Sequence, residues 1–270
     1  MNDAMNAMNA VTRWAACIEY DGTAYHGWQS QPHAASVQDT LETALSRVAD
    51  RPIRVVCSGR TDTGVHAQGQ IVHFDTDADR RARSWLLGTN RYLPDDIAPQ
   101  WFVPVPETFH ARFQATARSY RYWLTDREAP SALWRNRAWH VHHRLDHEAM
   151  AAGAVHLLGR HDFSAFRAAG CQAKSPVRDV QQISVIREGD WLRLDIRANA
   201  FLHHMVRNIV GTLAVIGRGE ADPGWTARLL AGRDRRRAGM TAPAAGLSLR
   251  HVSYPPDTDL PGPAVGPAGW

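Results

Sequence analysis

The sequence is short of several things, and each shortage excludes a class of protein. Its three cysteines, Cys17, Cys57 and Cys171, are widely spaced with no C-x-x-C pair, so neither a disulfide framework nor a cysteine zinc site is indicated. No apolar run approaches the roughly 18 residues of a membrane span, so no membrane partner is expected. Residues 1–12 repeat Met-Asn-Ala without a basic start or an apolar stretch, unlike a secretory signal. A reducing cytoplasm is the expected setting. Lysine is nearly missing: of 31 basic residues only Lys174 is a lysine, and the rest are arginines. That bias suits phosphate recognition by planar guanidinium forks, and it fits an arginine-rich coding bias equally well. With 27 acidic residues the net charge is +4, which permits a nucleic-acid partner without demanding one.

What is present belongs to a folded protein. In 270 residues, 44% hydrophobic content with 10 Trp, 6 Tyr and 7 Phe supports a sizeable core, as one large domain or two interlocked lobes. Strand patterns fall at 14–20, 52–58, 70–75, 97–105, 119–124, 183–187, 191–198 and 247–254. Ser36 reads as an N-cap with Asp39 three residues on, opening a helix whose Val37, Leu41, Leu45 and Val48 share a face. Further helices are expected at 78–87, broken by Asn90 and Pro94, and at 146–158, 201–216 and 223–230. In the 201–216 helix, His203 and Arg207 are four apart on a face away from Met205, Ile209, Leu213 and Ile216. Helices and strands mix without strict βαβ spacing, which predicts an α+β fold with a mainly antiparallel sheet.

The loop between the second and third strands is the richest in chemistry. Gly59-Arg60-Thr61-Asp62-Thr63-Gly64 has the spacing of a phosphate-cradling loop, but Val65-His66 stand where Lys-Ser/Thr should follow. What remains is an aspartate between glycines, with Gly59 and Gly64 able to supply positive φ and close backbone approach. Taken alone, Asp62 reads as a nucleophile or electrostatic catalyst, or as a turn aspartate balanced by Arg60. His140, His142 and His143 suggest a metal cluster, yet no Cys or acidic residue has the spacing to complete it.

CSGRTDTGVHAQGQIVHF resembles the signature of the tRNA pseudouridine synthase A family. The resemblance continues in order through Tyr20-Asp21-Gly22-Thr23, Tyr25 and Gly27-Trp28-Gln29, then Ser36-Val37-Gln38, Leu93-Pro94, Arg118-Ser119-Tyr120-Arg121-Tyr122 and His161-Asp162-Phe163. It ends with Phe201-Leu202-His203-His204-Met205-Val206-Arg207-Asn208-Ile209 and Thr241-Ala242-Pro243 with Gly246-Leu247. It implies two similar α+β halves whose mainly antiparallel sheets join into one large sheet, with helices on its outer face and an active-site cleft between the halves. The expected organisation is a disordered tail at 1–12, a first half at 13–112 carrying the Asp62 loop, a second half at 113–254, and a disordered Pro/Gly tail at 255–270.

The same resemblance implies an isomerase that converts uridine to pseudouridine at positions 38, 39 and 40 of the tRNA anticodon stem and loop, working as a homodimer. Asp62 would be the catalytic nucleophile, acting on base or sugar or through a glycal. Arg207 would pair with that carboxylate and orient it, and Arg60 would reach into the RNA to help displace the target nucleotide. Tyr120 would stack on the base and Leu247 would wall it. No metal and no small-molecule cofactor is implied. The roles of His203 and His204 stay open. A non-catalytic tRNA-binding or RNA-chaperone protein on the same scaffold is the alternative, and a replaced Asp62 would be its sign. A glycosidase would need a second acid, for which only Asp21 offers itself by loop position. A zinc nucleobase deaminase lacks its H-x-E…P-C-x-x-C signature.

Overall fold

The computed structural model describes residues 10–264, so residues 1–9 and 265–270 of the two expected tails lie outside the described residues. The first strand, β1 (Thr12–Tyr20), is followed by α1 (Val37–Ala49), β2 (Val56–Cys57), β3 (His66–Thr76), α2 (Ala82–Tyr92) and β4 (Ile97–Val105). Then come β5 (Ala117–Thr125), β6 (Trp139–His140), α3 (His147–Val155), β7 (Gly159–Asp162), β8 (Val177–Glu188) and β9 (Trp191–Ala198). The chain closes with α4 (Met205–Gly217), α5 (Trp225–Gly232) and β10 (Leu247–Ser253). This is the α+β fold read from the sequence, built on one ten-stranded sheet.

Local chemistry explains where elements start and stop. The Ser36 hydroxyl accepts from Asp39 N–H at 3.1 Å, and α1 ends at Asp50 in the left-handed conformation. Along β9 exposure alternates strictly, the period-2 pattern of a strand with one buried face. The expected 52–58 strand shrinks to the two residues of β2. Its earlier amides are taken by α1 instead: Ile53 N–H donates to Ser46 Oγ at 2.8 Å and Val55 N–H to Glu42 Oε1 at 2.9 Å. Helix α2 begins at 82 rather than 78 and runs through Asn90, whose amide donates to Leu86 O and Pro99 O. Helix α4 begins at Met205, so Phe201, Leu202 and His203 belong to the turn before it.

The strand order is β4-β1-β3-β10-β5-β9-β8-β7, with β2 beside β3 and β6 beside β5. Every pairing is antiparallel except β3 with β10 and β5 with β6. The last strand therefore sits at the seam of the sheet. It sends Leu249 and Val252 into a first core with Trp85, Phe74, Leu41 and Leu45, and Leu247 into a second with Tyr122, Phe163, Leu194 and Leu213. Burial of these large side chains stabilises each core by about 1.5–3 kcal/mol apiece, and sharing β10 couples the two. Thr12, expected in the tail, already pairs with Thr76. Past Pro255 the described chain lies on the sheet: Trp101 Nε1 donates to Gly262 O at 3.1 Å and Ala264 N–H to Gln100 Oε1 at 2.6 Å.

Candidate active site

The Asp62 loop is braced from three sides. At its base the wholly buried Gln70 accepts from the Ser58 hydroxyl at 2.6 Å and donates to Gly59 O at 2.6 Å. Its turn closes with Val65 N–H on Asp62 O at 3.1 Å, and Gly64, at φ 75°, occupies the left-handed position that favours glycine. The segment 20–28 grips the middle: Tyr20 bonds to the Thr61 hydroxyl at 2.8 Å, Trp28 N–H donates to Thr61 O at 3.0 Å, and Gly64 N–H to Tyr25 O at 3.3 Å. Contact is so close that a Cβ on Gly22 would stand 2.1 Å from Val65 O. Gly59 differs from expectation: its φ is not positive, and a Cβ placed on it would meet nothing within 4 Å.

Three positive or ionisable groups converge on the carboxylate. Arg207 lies in the first turn of α4 with its Nη1 3.7 Å from Asp62 Oδ2, and its Nε is anchored on Ala242 O at 2.7 Å. The His203 and His204 Nε2 atoms stand 3.5 Å from Oδ1 and Oδ2 respectively. The helix N-terminus itself adds positive potential toward an anion held there. The ligand atoms of Asp62, His203 and His204 lie within 4.8 Å of one another, but the guanidinium of Arg207 opposes a cation among them, and we assign no metal ligands. His140 instead bonds through Nε2 to Arg127 O at 2.9 Å, with its ring edge-on to His142.

Tyr120, on β5, meets Phe201 edge to face at 5.1 Å between ring centres. Burial first, and then the charge of Asp62, push its phenol above the usual range, so it is protonated at neutral pH and lies in the field of Asp62. Leu247 begins β10 opposite Tyr122 and is only 5% exposed, packed in the second core that also holds Val65. Arg60 is exposed, and among the described residues the ion-pair partners of Asp62 are His203, His204 and Arg207, not Arg60. The turn-aspartate reading that paired Asp62 with Arg60 is thereby corrected: the two adjacent side chains form no ion pair.

Sequence reasoning left His203 and His204 without a task and passed over Asn208. Asn208 is fully buried with both amide atoms bonded: Nδ2 donates to Phe166 O at 2.8 Å, while Oδ1 accepts from Arg235 at 2.9 Å and Thr241 at 2.7 Å. It ties the first turn of α4, which also carries Arg207, to two other segments. The signal available in the sequence was the position of the His-His pair directly before the helix that carries Arg207.

Asp21, the second acid considered, is not beside Asp62 in this ion-pair set. Its carboxylate accepts from Thr23 Oγ1 at 2.5 Å and Arg137 at 2.7 Å, and it lies 3.1 Å from His66 Nδ1. It lines a cavity of about 360 Å³ with Arg121, Trp123 and Arg250. On β5, Arg121 and Trp123 alternate with Tyr120, which puts this cavity on the sheet face opposite Tyr120.

Comparison with known proteins bears on what this arrangement does. The model of the tRNA pseudouridine synthase family matches residues 16–114 and 154–255. A tRNA pseudouridine synthase A of Pseudoalteromonas atlantica is 52% identical over 255 residues, covering 94% of this chain and 97% of its own length. Another of that name from Hydrogenovibrio crunogenus is 54% identical over 251 residues, covering 93% and 96%, and one from Burkholderia lata is 51% identical over 258 residues, covering 96% of each.

Proposed function

We propose that this chain, which belongs to the tRNA pseudouridine synthase family and is an isomerase converting uridine to pseudouridine in tRNA, acts at positions 38, 39 and 40 of the anticodon arm with Asp62 as its nucleophile. The reaction breaks the N1–C1′ bond, turns the detached uracil and joins C5 to C1′. Bonds are redistributed within one nucleotide with no net oxidation, so carboxylate chemistry suffices. The observation that carries the reading is Asp62 itself, held in a loop braced from three sides yet meeting its ionisable neighbours only at 3.5–3.7 Å, which leaves the carboxylate oxygens open to a substrate.

The other side chains take supporting roles in this proposal. Arg207, held by Ala242 O, aims its charge at the carboxylate. Tyr120 offers a π-face for the base, Leu247 closes the apolar wall behind it, and the exposed Arg60 reaches into the RNA. The chain acts as a homodimer on one tRNA, in a reducing cytoplasm. Recognition draws on shape and phosphates, for which guanidinium groups are suited.

The test is purified protein on refolded, unmodified tRNA, with pseudouridine read by position. The expected result is pseudouridine at 38, 39 and 40 where uridine stands there. Tight tRNA binding with no pseudouridine would instead support the non-catalytic tRNA-binding protein, and pseudouridine elsewhere would overturn the site assignment. Sedimentation with and without tRNA checks the dimer.

A further inference from the structure

Joining C5 to C1′ does not finish pseudouridine. At that point C5 carries four single bonds, one of them to hydrogen, and the ring double bond lies between N1 and C6. The product forms when the C5–H bond breaks, its electron pair makes C5=C6, and the N1=C6 π pair passes to N1, which takes up a proton. One proton leaves and one arrives, so the step balances, but a group near C1′ must accept the first.

We propose that Nε2 of His204 accepts the C5 proton of the rejoined uracil, an inference that rests on Asp62 being the catalytic carboxylate. Its Nε2 lies 3.5 Å from Asp62 Oδ2. Once rejoined, C5 is one bond from C1′, the atom whose bonds are exchanged beside that carboxylate, so a base in this shell is within reach of the C5 hydrogen. Among the described residues, no hydrogen bond to protein engages the His204 ring, whereas its backbone is firmly held. His204 O accepts from Asn208 N–H at 2.9 Å, and Met205 N–H donates to Leu202 O at 3.0 Å.

That backbone is also strained. His204 has φ 59°, a left-handed conformation that non-glycine residues rarely adopt.

Rival acceptors fare worse. Tyr120 is a protonated phenol and has no lone pair of sufficient basicity. His203 is the more exposed of the pair, its side chain 44% accessible against 27% for His204. Asp62, released as a carboxylate when C5 takes its place on C1′, is the nearest rival, and turnover near wild type in the His204 variants would assign the proton to it. Burial, followed by the nearby His203, Arg207 and Arg235, lowers the His204 ring below its ordinary range, while Asp62 acts in the opposite sense. The ring is therefore neutral at pH 7, as a proton acceptor must be.

The test uses the full chain and two tRNA substrates, one carrying [5-³H]uridine and one carrying 5-deuterated uridine at the target positions. The wild type must release tritium with turnover; if it does not, the pseudouridylation reading fails, and this inference with it. Given release, His204→Gln is expected to lower kcat about 100-fold with little change in KM for tRNA. Turnover should then become slower on the deuterated substrate, because C5–H cleavage now limits it. His204→Asn, which tolerates the left-handed turn, should behave as His204→Gln does, and His203→Gln should retain the wild-type isotope effect. Turnover near wild type in either His204 variant, recovery in the Asn variant alone, or a loss equal for both isotopes would overturn the proposal, since each makes His204 a structural residue.

Discussion

Asp62 and Asp21 make a controlled comparison within one molecule. Both sit in glycine-bearing loops beside a histidine and an arginine, and their side chains are almost equally exposed, at 25% and 26%. Asp21 is saturated by Thr23 and Arg137 at 2.5 and 2.7 Å, whereas the nearest ionisable side chains to Asp62 stand at 3.5 Å or beyond. Exposure is thus matched, and the number and length of the bonds separate them. A carboxylate whose lone pairs are filled contributes to stability; one surrounded by charge but unfilled has its acceptor capacity left for a substrate.

The two loops are also in contact, and the largest expected effect comes from breaking that link. Gly22 follows Asp21 and packs on the carbonyl of Val65, which closes the Asp62 turn. Gly22→Ala should cost about 3 kcal/mol or more, because the obstacle is backbone and cannot rotate away. Thermal unfolding and turnover should fall together; a variant that is stable and active would mean the loops are independent.

Arg207→Ala comes next. Turnover should drop about 100-fold, close to 2.7 kcal/mol, while tRNA affinity changes much less, since the lost charge faces Asp62. Normal turnover with weaker binding would make Arg207 a phosphate contact. On the other aspartate, Arg137→Ala should lower stability by about 1–2 kcal/mol and leave turnover within a few-fold. A large turnover loss with unchanged stability would move Asp21 into the reaction. Smallest of all, Arg60→Ala should leave stability unchanged and reduce the slope of log affinity against log salt by about one. An unchanged slope would separate Arg60 from the RNA.

How much of this was legible in the sequence depended on how local the cause was. The α1 cap at Ser36 and Asp39, the alternation of β9 and the turn glycine at 64 were readable because each is decided by residues a few positions apart. The loss of 52–55 from β2 was not, because Ile53 and Val55 give their amides to side chains of α1. Nor was the placing of β10 between β3 and β5, since strand order is set by tertiary packing. At the site, the carboxylate and Arg207 could be named from motif order, and the structure brings them together. His204 escaped because helical periodicity extended α4 back to 201, whereas a left-handed histidine ends it at 204. The reading that balanced Asp62 with Arg60 misled for the opposite reason: adjacency in sequence does not make two side chains an ion pair.

The most direct test of the contrast makes the same substitution at both aspartates and follows turnover on unmodified tRNA together with thermal unfolding. Replacing a carboxylate by an amide keeps shape and removes nucleophilicity, so Asp62→Asn should abolish pseudouridine formation while leaving the unfolding midpoint and tRNA affinity near wild type. Asp21→Asn should do the reverse, weakening its contacts with Arg137 and Thr23 and lowering the midpoint while pseudouridine still forms. Substantial turnover by a folded Asp62→Asn protein, or an inactive but fully stable Asp21→Asn protein, would contradict the account.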